Sequence, residues 1–547
     1  MRLITVVLSA SLSLLSVGVI AQGPPRLDPE LLNKPPTDAW PTYNGDYSGR
    51  RYSTLTQISA ANVKSLSLAW IYRANTSPQG AMTGGEGPEN APGGGPIGIK
   101  STPLMVNGIL YLASPDHAWA VDARTGREVW HYFWRTRGGD HIGNRGVGMY
   151  RGWLYFLTPD CYLVSLDAAT GKERWHKKIA EMKQTYFTTA APVVIRNHVI
   201  FGVGGDALDL PGYLESRDPE TGELQWRWFT APKPGEPGSE TWPNEYAMSH
   251  GGGMPWIPPT YDRELNLMYI GTGNPNPVLS GQSRLGDNLW TCSVVALNPD
   301  TGKMAWYYQF SPHDTHDWDA AQTPVLLDAE FNGQPRKLLA QAYRGGYFFV
   351  LDRTNGKHLL TAPFIDSLNW TKGLNANGQP VPDPAKEATI AGTLISPNTD
   401  GATNWPPPSF NPETGLFYFG TSQGFSILYL TDTDPRPEGW AAAERRMGNL
   451  GTALVAMDYK TGKIRWRRPF VSGGGGPIGL LSTAGKLLFG SDGAGNFVAY
   501  DPATGKPLWH AGLHANVSNG PETFMLDGRQ FVVVGAGDSL YAFSLHQ

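Results

Sequence analysis

The chain has 547 residues, 17% of them charged, a formal net charge of −4, and 66 Gly, 45 Pro and 19 Trp. That length fits several ordinary domains or one large closed β architecture. The glycine and proline content excludes a helical bundle, the hydrophobic content excludes disorder, and the slightly acidic balance offers no basic face to nucleic acid.

The first element is apolar. MRLITVVLSASLSLLSVGVIAQG opens with Arg2, stays mostly apolar through residue 20, and carries Val19 and Ala21 where a cleavage site needs small residues. It predicts a secretory signal, residues 1–21, cut after Ala21. A membrane anchor is the alternative, disfavoured by the Ser and small residues that interrupt the run. No later stretch is long and apolar enough to span a bilayer. No Cys lies near the cleavage site, so no lipoprotein anchor is expected, and the periplasm is the expected compartment.

A short repeat follows: VDARTGREVW (121–130), LDAATGKERW (166–175), RDPETGELQW (217–226), LNPDTGKMAW (297–306), LDRTNGKHLL (351–360), MDYKTGKIRW (457–466) and YDPATGKPLW (500–509). Each is a strand end, an Asp, Asn or equivalent turn opener, a turn glycine with positive φ, and a strand mostly ending in Trp. The spacing of adjacent copies suits four-stranded propeller blades. FNPETGLFYFG (410–420) reads as a worn copy. Together these predict an all-β, eight-bladed β-propeller with tryptophan docking, a single domain over residues 22–547. The last segment, FVVVGAGDSLYAFSL, is expected to close the ring beside LSLAWIYRA, and each repeat Trp is expected to pack between neighbouring blades. Two glycine-rich stretches, 93–112 and 473–490, lead into strand pairs at one phase of the repeat. Cys161 and Cys292 each lie six residues before a repeat turn opener, Asp167 and Asn298. Equivalent positions in separate blades cannot bring their Cα atoms within about 7 Å, so two buried free thiols are expected.

Three loops hold the chemistry-bearing residues: TWPNEYAMSHGGGMPW with IGTGNPNP, HDTHDWD (313–319), and AYRGGYFFVLDRTNG. Five ionisable side chains crowd HDTHDWD, a crowding that solvent, a proton or a cation must relieve. The repeat together with GGGxxW, GTGNPNP, the Asp-rich loop and Arg-Gly-Gly resembles the pyrroloquinoline quinone (PQQ)-dependent alcohol and methanol dehydrogenases. That family implies a propeller holding PQQ with Ca²⁺ or a lanthanide(III). By the resemblance, Trp256 is the indole floor under the quinone. Asn274, Asp206, Asp317 and Asp319 are the metal ligands. Asp317 is also the catalytic base, and Arg344 is the cation beside the reactive carbonyl. Arg145, Thr189, Lys100, Gly204, Gly205 and Asn404 are further cofactor contacts. Three carboxylates from Asp206, Asp317 and Asp319 balance a trivalent ion better than a divalent one, and both ions stay open. Asp319 as a plain loop carboxylate is the bland alternative. His313, Asp314 and His316 are expected to stabilise the loop, since hard cations rarely take imidazole.

Departures from the family pattern are visible. Asp206 stands where Glu is usual. The adjacent Cys pair is absent, the region reading GGDHIGN. Lys100 stands where Glu is common, and an expected Trp near 477 is replaced within GGGGPIGLL. The resemblance implies oxidation of an alcohol to an aldehyde or ketone. Without a CxxCH haem motif, electrons are expected to pass to a separate, soluble cytochrome c, and a homodimer is allowed for. The alternatives are a non-catalytic envelope scaffold that binds proteins, and a PQQ enzyme acting on sugars or polyols.

Overall fold

The computed structural model describes residues 26–91, 98–205, 209–434, 436, 438–470 and 478–546. The signal expected at 1–21 and the ligand candidate Asp206 lie outside the described residues. Among those described, eight sheets have four or more strands and a ninth has two. Leu104–Val106, Ile109–Ser114, His117–Asp122 and Glu128–Arg135 form an antiparallel meander, and later sheets repeat that order. Buried clusters run from each sheet into the next, and one joins Phe497, Phe543 and Trp119, so the last sheets pack on the first. The chain is a β-propeller.

The repeated motif is the turn between the third and fourth strands. Asp122 Oδ1 accepts from the backbone N–H groups of Arg124 and Thr125 and from the Thr125 hydroxyl. Gly126 holds φ at 70°, and a Cβ there would lie 2.6 Å from the Trp70 ring. Glycine thus serves both the left-handed turn and the seat for an indole. Trp70 of the closing segment LSLAWIYRA and the repeat tryptophans donate Nε1–H to a carbonyl of the next sheet's turn: Trp70 to Ala123, Trp130 to Ala168, Trp175 to Glu220, Trp226 to Pro299, Trp306 to Arg353 and Trp466 to Pro502. Trp509 donates to Leu66, and in LDRTNGKHLL Leu360 stands in place of the indole and packs beside Gly462 of the next turn. The docking role expected for these tryptophans is borne out.

Closure is also as expected. Leu66–Arg73 pairs antiparallel with Ser539–Leu545. The final sheet therefore has no repeat turn of its own, because its fourth strand comes from the other end of the chain. FNPETGLFYFG is not a worn copy of the repeat. Its turn joins Ser409–Asn411 to Leu416–Leu430, the first and second strands of a sheet whose own repeat turn is MDYKTGKIRW. Asn411 opens this hairpin by accepting from Glu413 N–H, the same turn chemistry in another place.

Both glycine-rich stretches do lead into first and second strands, at Leu104–Val106 with Ile109–Ser114 and at Leu481–Thr483 with Leu487–Ser491. Cys161 and Cys292 are buried and unpaired just before third strands, and burial pushes the Cys161 thiol up to about 12. Residues 37–53 cross the first strands of several sheets: Trp40 bonds Met105, Tyr47 bonds Tyr261, Ser48 bonds Leu326 and Arg50 bonds Phe410. No helix among the described residues is long and apolar enough to cross a membrane.

The meander gives the propeller two ends. One carries the first-to-second hairpins and the repeat turns. The other carries the second-to-third connections and the loops between sheets, and the candidate residues lie there.

Candidate functional site

HDTHDWD lies in the loop between Met304–Gln309 and Val325–Phe331. Asp314 organises it. Its carboxylate accepts from Ser311 Oγ and from the N–H groups of His316 and Trp318. His316 stacks on Trp318 at 4.3 Å with 12° between planes, and its Nε2 meets Lys386 O. His313 Nδ1 meets Gly286 O. These three residues hold the loop, as expected. Trp318 is fully buried, donates to Asn398 O and packs on Trp370. Asp317 and Asp319, flanking Trp318, both reach Arg344.

Arg344 follows the strand Gln334–Ala342 in a tight connection. Its Nη1 is 2.9 Å from Asp319 Oδ2 and its Nη2 is 3.2 Å from Asp317 Oδ2. Nη2 also donates to Thr399 O at 2.7 Å. Burial alone would lower its pKa, but Asp317, Asp319 and Asp314 outweigh that and raise it. Asp319 is raised by burial, against the pull of Arg344 and of hydrogen bonds from Asn274 N–H and Trp256 Nε1–H. Those bonds are 2.6 and 2.9 Å long. Gly273 permits the first: a Cβ there would come within 3.0 Å of Asp319 Oδ1. Asp319 thus uses three of the roughly four acceptor positions a carboxylate offers. It is not a plain solvated loop residue, being 7% exposed.

Arg145 forms the other half of the site. Its guanidinium lies 4.5 Å from the Trp256 ring centroid and 4.8 Å from that of Trp405. Nη1 donates to Thr189 Oγ1 at 2.6 Å and to Thr189 O. Burial pushes its pKa down to about 10, with Tyr43 opposing. No carboxylate among the described residues forms an ion pair with it. Lys100, lowered by burial and by Arg145, donates to Ile142 O.

Five expected residues therefore meet in one hydrogen-bonded group, Trp256, Asn274, Asp317, Asp319 and Arg344, and Arg145 with Thr189 joins it through Trp256. Others are placed differently. Arg145 covers a face of Trp256 rather than an edge beside it, so a ring on that same face requires the guanidinium to move. Gly204 exchanges both backbone hydrogen bonds with Phe187, and Gly205 packs on Tyr186. Asn404 donates to Asp400 O and accepts from Trp405 N–H, so its amide is used locally. Sequence reasoning missed Trp405, one residue beyond Asn404 in TNWPP, and Thr399.

Several features fit a flat polyanion held with a hard cation. Arg145 Nε and Arg344 Nε are buried donors with no hydrogen-bond partner among the described residues. Two indoles border a buried cation that has no counter-charge among the described residues. Asn274 donates through Nδ2 to Pro275 O and Asn276 Oδ1, and among the described residues no hydrogen bond goes to its amide oxygen. That oxygen and the two aspartates are the donor type a hard cation takes. Among the described residues no three His, Cys, Asp or Glu side chains form a metal-sized group, so the carboxylate triad cannot be assembled without Asp206.

Residues 40–383 match the family described as glucose/ethanol/alcohol dehydrogenase, β-propeller domain, named for PQQ. The chain belongs to this PQQ-dependent family. Residues 451–547 also match the family described as outer membrane protein assembly factor BamB. The quinohemoprotein alcohol dehydrogenase of Comamonas testosteroni is 37% identical over 94% of this chain and 75% of its own length. Its crystal structure superposes with a TM-score of 0.84 at 34% identity, covering 95% of this chain and 82% of that one. A 1-butanol dehydrogenase (cytochrome c) of Thauera butanivorans is 32% identical over 91% of this chain and 74% of its own. A europium-containing methanol dehydrogenase superposes with a TM-score of 0.81 at 29% identity, covering 94% and 99%.

Proposed function

We propose that this chain is a periplasmic quinoprotein that oxidises an alcohol to an aldehyde or ketone and passes the electrons to an external cytochrome c. The observation that carries the reading is the convergence of Asn274, Trp256 and Arg344 on Asp319, with Asp317 on the same guanidinium, at the loop end of a propeller that belongs to the PQQ-dependent family. The acceptor follows from the cytochrome c named in the butanol-oxidising relative. The scaffold alternative leaves this buried, charged group without a purpose.

When bound, metal-held PQQ supplies the two-electron acceptor for the substrate's hydride. Trp256 provides a flat face for the ring, and Arg145 with Lys100 supplies positive charge for its carboxylates. Asn274 Oδ1, Asp319 and Asp206 would hold the metal, with Asp317 beside them. Asp317 takes the hydroxyl proton at a carboxylate oxygen. Arg344, fixed by two carboxylates and a carbonyl, keeps its positive charge in the site and stabilises negative charge there. The europium-containing relative and the second aspartate favour a lanthanide over Ca²⁺.

The test is reconstitution with PQQ and either Ca²⁺ or a light lanthanide, assayed with an artificial acceptor over primary, secondary and polyhydric alcohols. Turnover with simple alcohols is expected. A preference for sugars would move the substrate class, and no turnover in any combination would leave the scaffold reading in its place.

A further inference from the structure

The strands Leu416–Leu430 and Ala442–Asp458 are far longer than their counterparts. Their outer halves form a hairpin that projects beyond its sheet. Thr393–Ile395 pairs with the first of these strands, while the last strand of the sheet reaches the second only from Ala453 to Met457. The tip bends toward distant loops. Val278 and Leu279 donate backbone N–H groups to Gly439 and Trp440, Gly439 N–H donates to Asp209, and Arg436 stacks over Tyr246. Residues 278 and 279 follow directly on the GTGNPNP loop that carries Asn274.

Glu444 occupies the middle of this hairpin. Its Oε1 accepts from Ser426 Oγ at 2.6 Å and from Thr399 N–H at 3.1 Å. Burial would raise its pKa, but hydrogen bonds from Ser426 and Thr399 and the charge of Arg446 bring it below the ordinary glutamate value. The charged, accepting form is therefore the one built into the fold. The other side of the same Thr399 peptide segment faces the site: Thr399 O accepts from Arg344 Nη2 at 2.7 Å. Neighbouring contacts repeat this sandwich. Arg446 pairs with Asp400 at 2.8 Å, and Ala402 N–H donates to Arg344 O.

We propose that Glu444 is a positioning residue for alcohol oxidation: it fixes Thr399, whose carbonyl sets the Arg344 guanidinium against Asp317 and Asp319. Glu444 touches no reacting atom. It holds the Thr399 N–H in a loop whose neighbours are held separately by Trp318 at Asn398 and Arg446 at Asp400, and Thr399 O is the only hydrogen-bond partner of Arg344 Nη2 besides Asp317 among the described residues. A guanidinium displaced by a fraction of an ångström loses alignment with both carboxylates, and small displacements of this kind lower turnover by about ten- to a hundredfold. The inference rests on the role of Arg344 given above.

The test uses the full chain reconstituted with PQQ and metal. Glu444→Ala is expected to lower kcat about tenfold with KM nearly unchanged. The Thr399 amide is expected to lose protection from hydrogen exchange, a readout that does not depend on activity. Glu444→Gln keeps an acceptor oxygen and is expected to restore most of both, whereas Glu444→Asp, too short to span to Thr399, is not. Should Glu444→Ala fail to fold, the Gln and Asp pair carries the same comparison. In an Arg344→Lys background the Glu444→Ala effect is expected to vanish, because the forked contact to Thr399 is already lost. Equal losses in both backgrounds, or exchange protection unchanged in Glu444→Ala, would overturn the positioning role alone. Wild-type turnover in Arg344→Lys would remove the Arg344 assignment and this inference with it.

Discussion

The two ends of the propeller obey different rules. At one end the same turn is made again and again: Asp caps the backbone, glycine takes positive φ, and an indole from the preceding sheet settles on it. At the other end the loops that carry the site share no common turn, and Trp256, Asn274, Asp317, Arg344 and Arg145 each come from a different connection. The repeated end is a solution to packing, found once and copied. The irregular end is free to vary because the copied end already fixes the ring.

That division can be broken or sharpened. Asp317→Ala should lower turnover by about 10²–10⁴-fold while thermal unfolding stays close to wild type; a variant with near wild-type turnover would remove the base assignment. Trp130→Ala removes a buried indole that donates to Ala168 at the repeated end. It should cost about 3–5 kcal/mol of stability in denaturant titration, with turnover per folded molecule unchanged. Asp122→Ala strips three hydrogen bonds from one turn and should cost about 1–2 kcal/mol by the same measurement, again without a kinetic effect. Loss of activity in either folded variant would mean that the two ends are coupled.

A pH series tests the space between the ends. Glu522 is fully buried, both its carboxyl oxygens lack hydrogen-bond partners among the described residues, and burial raises its pKa well above 4.5, with Arg51 opposing. For an acid with a raised folded pKa, stability is full below the unfolded value and falls as pH rises toward the folded one. Glu522→Gln should match wild type below pH 4.5 and become progressively more stable than wild type above it, read from unfolding midpoints across pH. A constant difference at every pH would show that the carboxyl does not titrate in this way.

Much of this was legible in the sequence, and the reason lies in how local each signal is. The repeat, its tryptophans and the pairing of 66–73 with 539–545 announce themselves in runs of about ten residues. FNPETGLFYFG misled because Asn-to-Gly turn chemistry serves any tight hairpin, so composition identifies the turn and not its place in the sheet. At the site, the family resemblance carried by the loop motifs singled out Trp256, Asn274, Asp317, Asp319 and Arg344, and the structure brings these five together. The resemblance gave Asn404 a cofactor contact, where the neighbouring Trp405 meets Arg145. Thr399 and Glu444 stayed invisible because they act through a backbone carbonyl and a long-range hairpin, neither of which leaves a residue pattern.

The strand that completes the last sheet comes from residues 66–73, and its Ser67 bonds Ser544, 477 positions away. The ring therefore has a clasp, and the clasp cannot fasten until residues 539–545 have been made. Loop-closure entropy of this kind slows folding far more than it lowers final stability. Splicing the two strands together and opening the chain at the exposed Asn332–Gly333 hairpin would move the seam to another sheet. Such a permutant should reach the same architecture by a different last step.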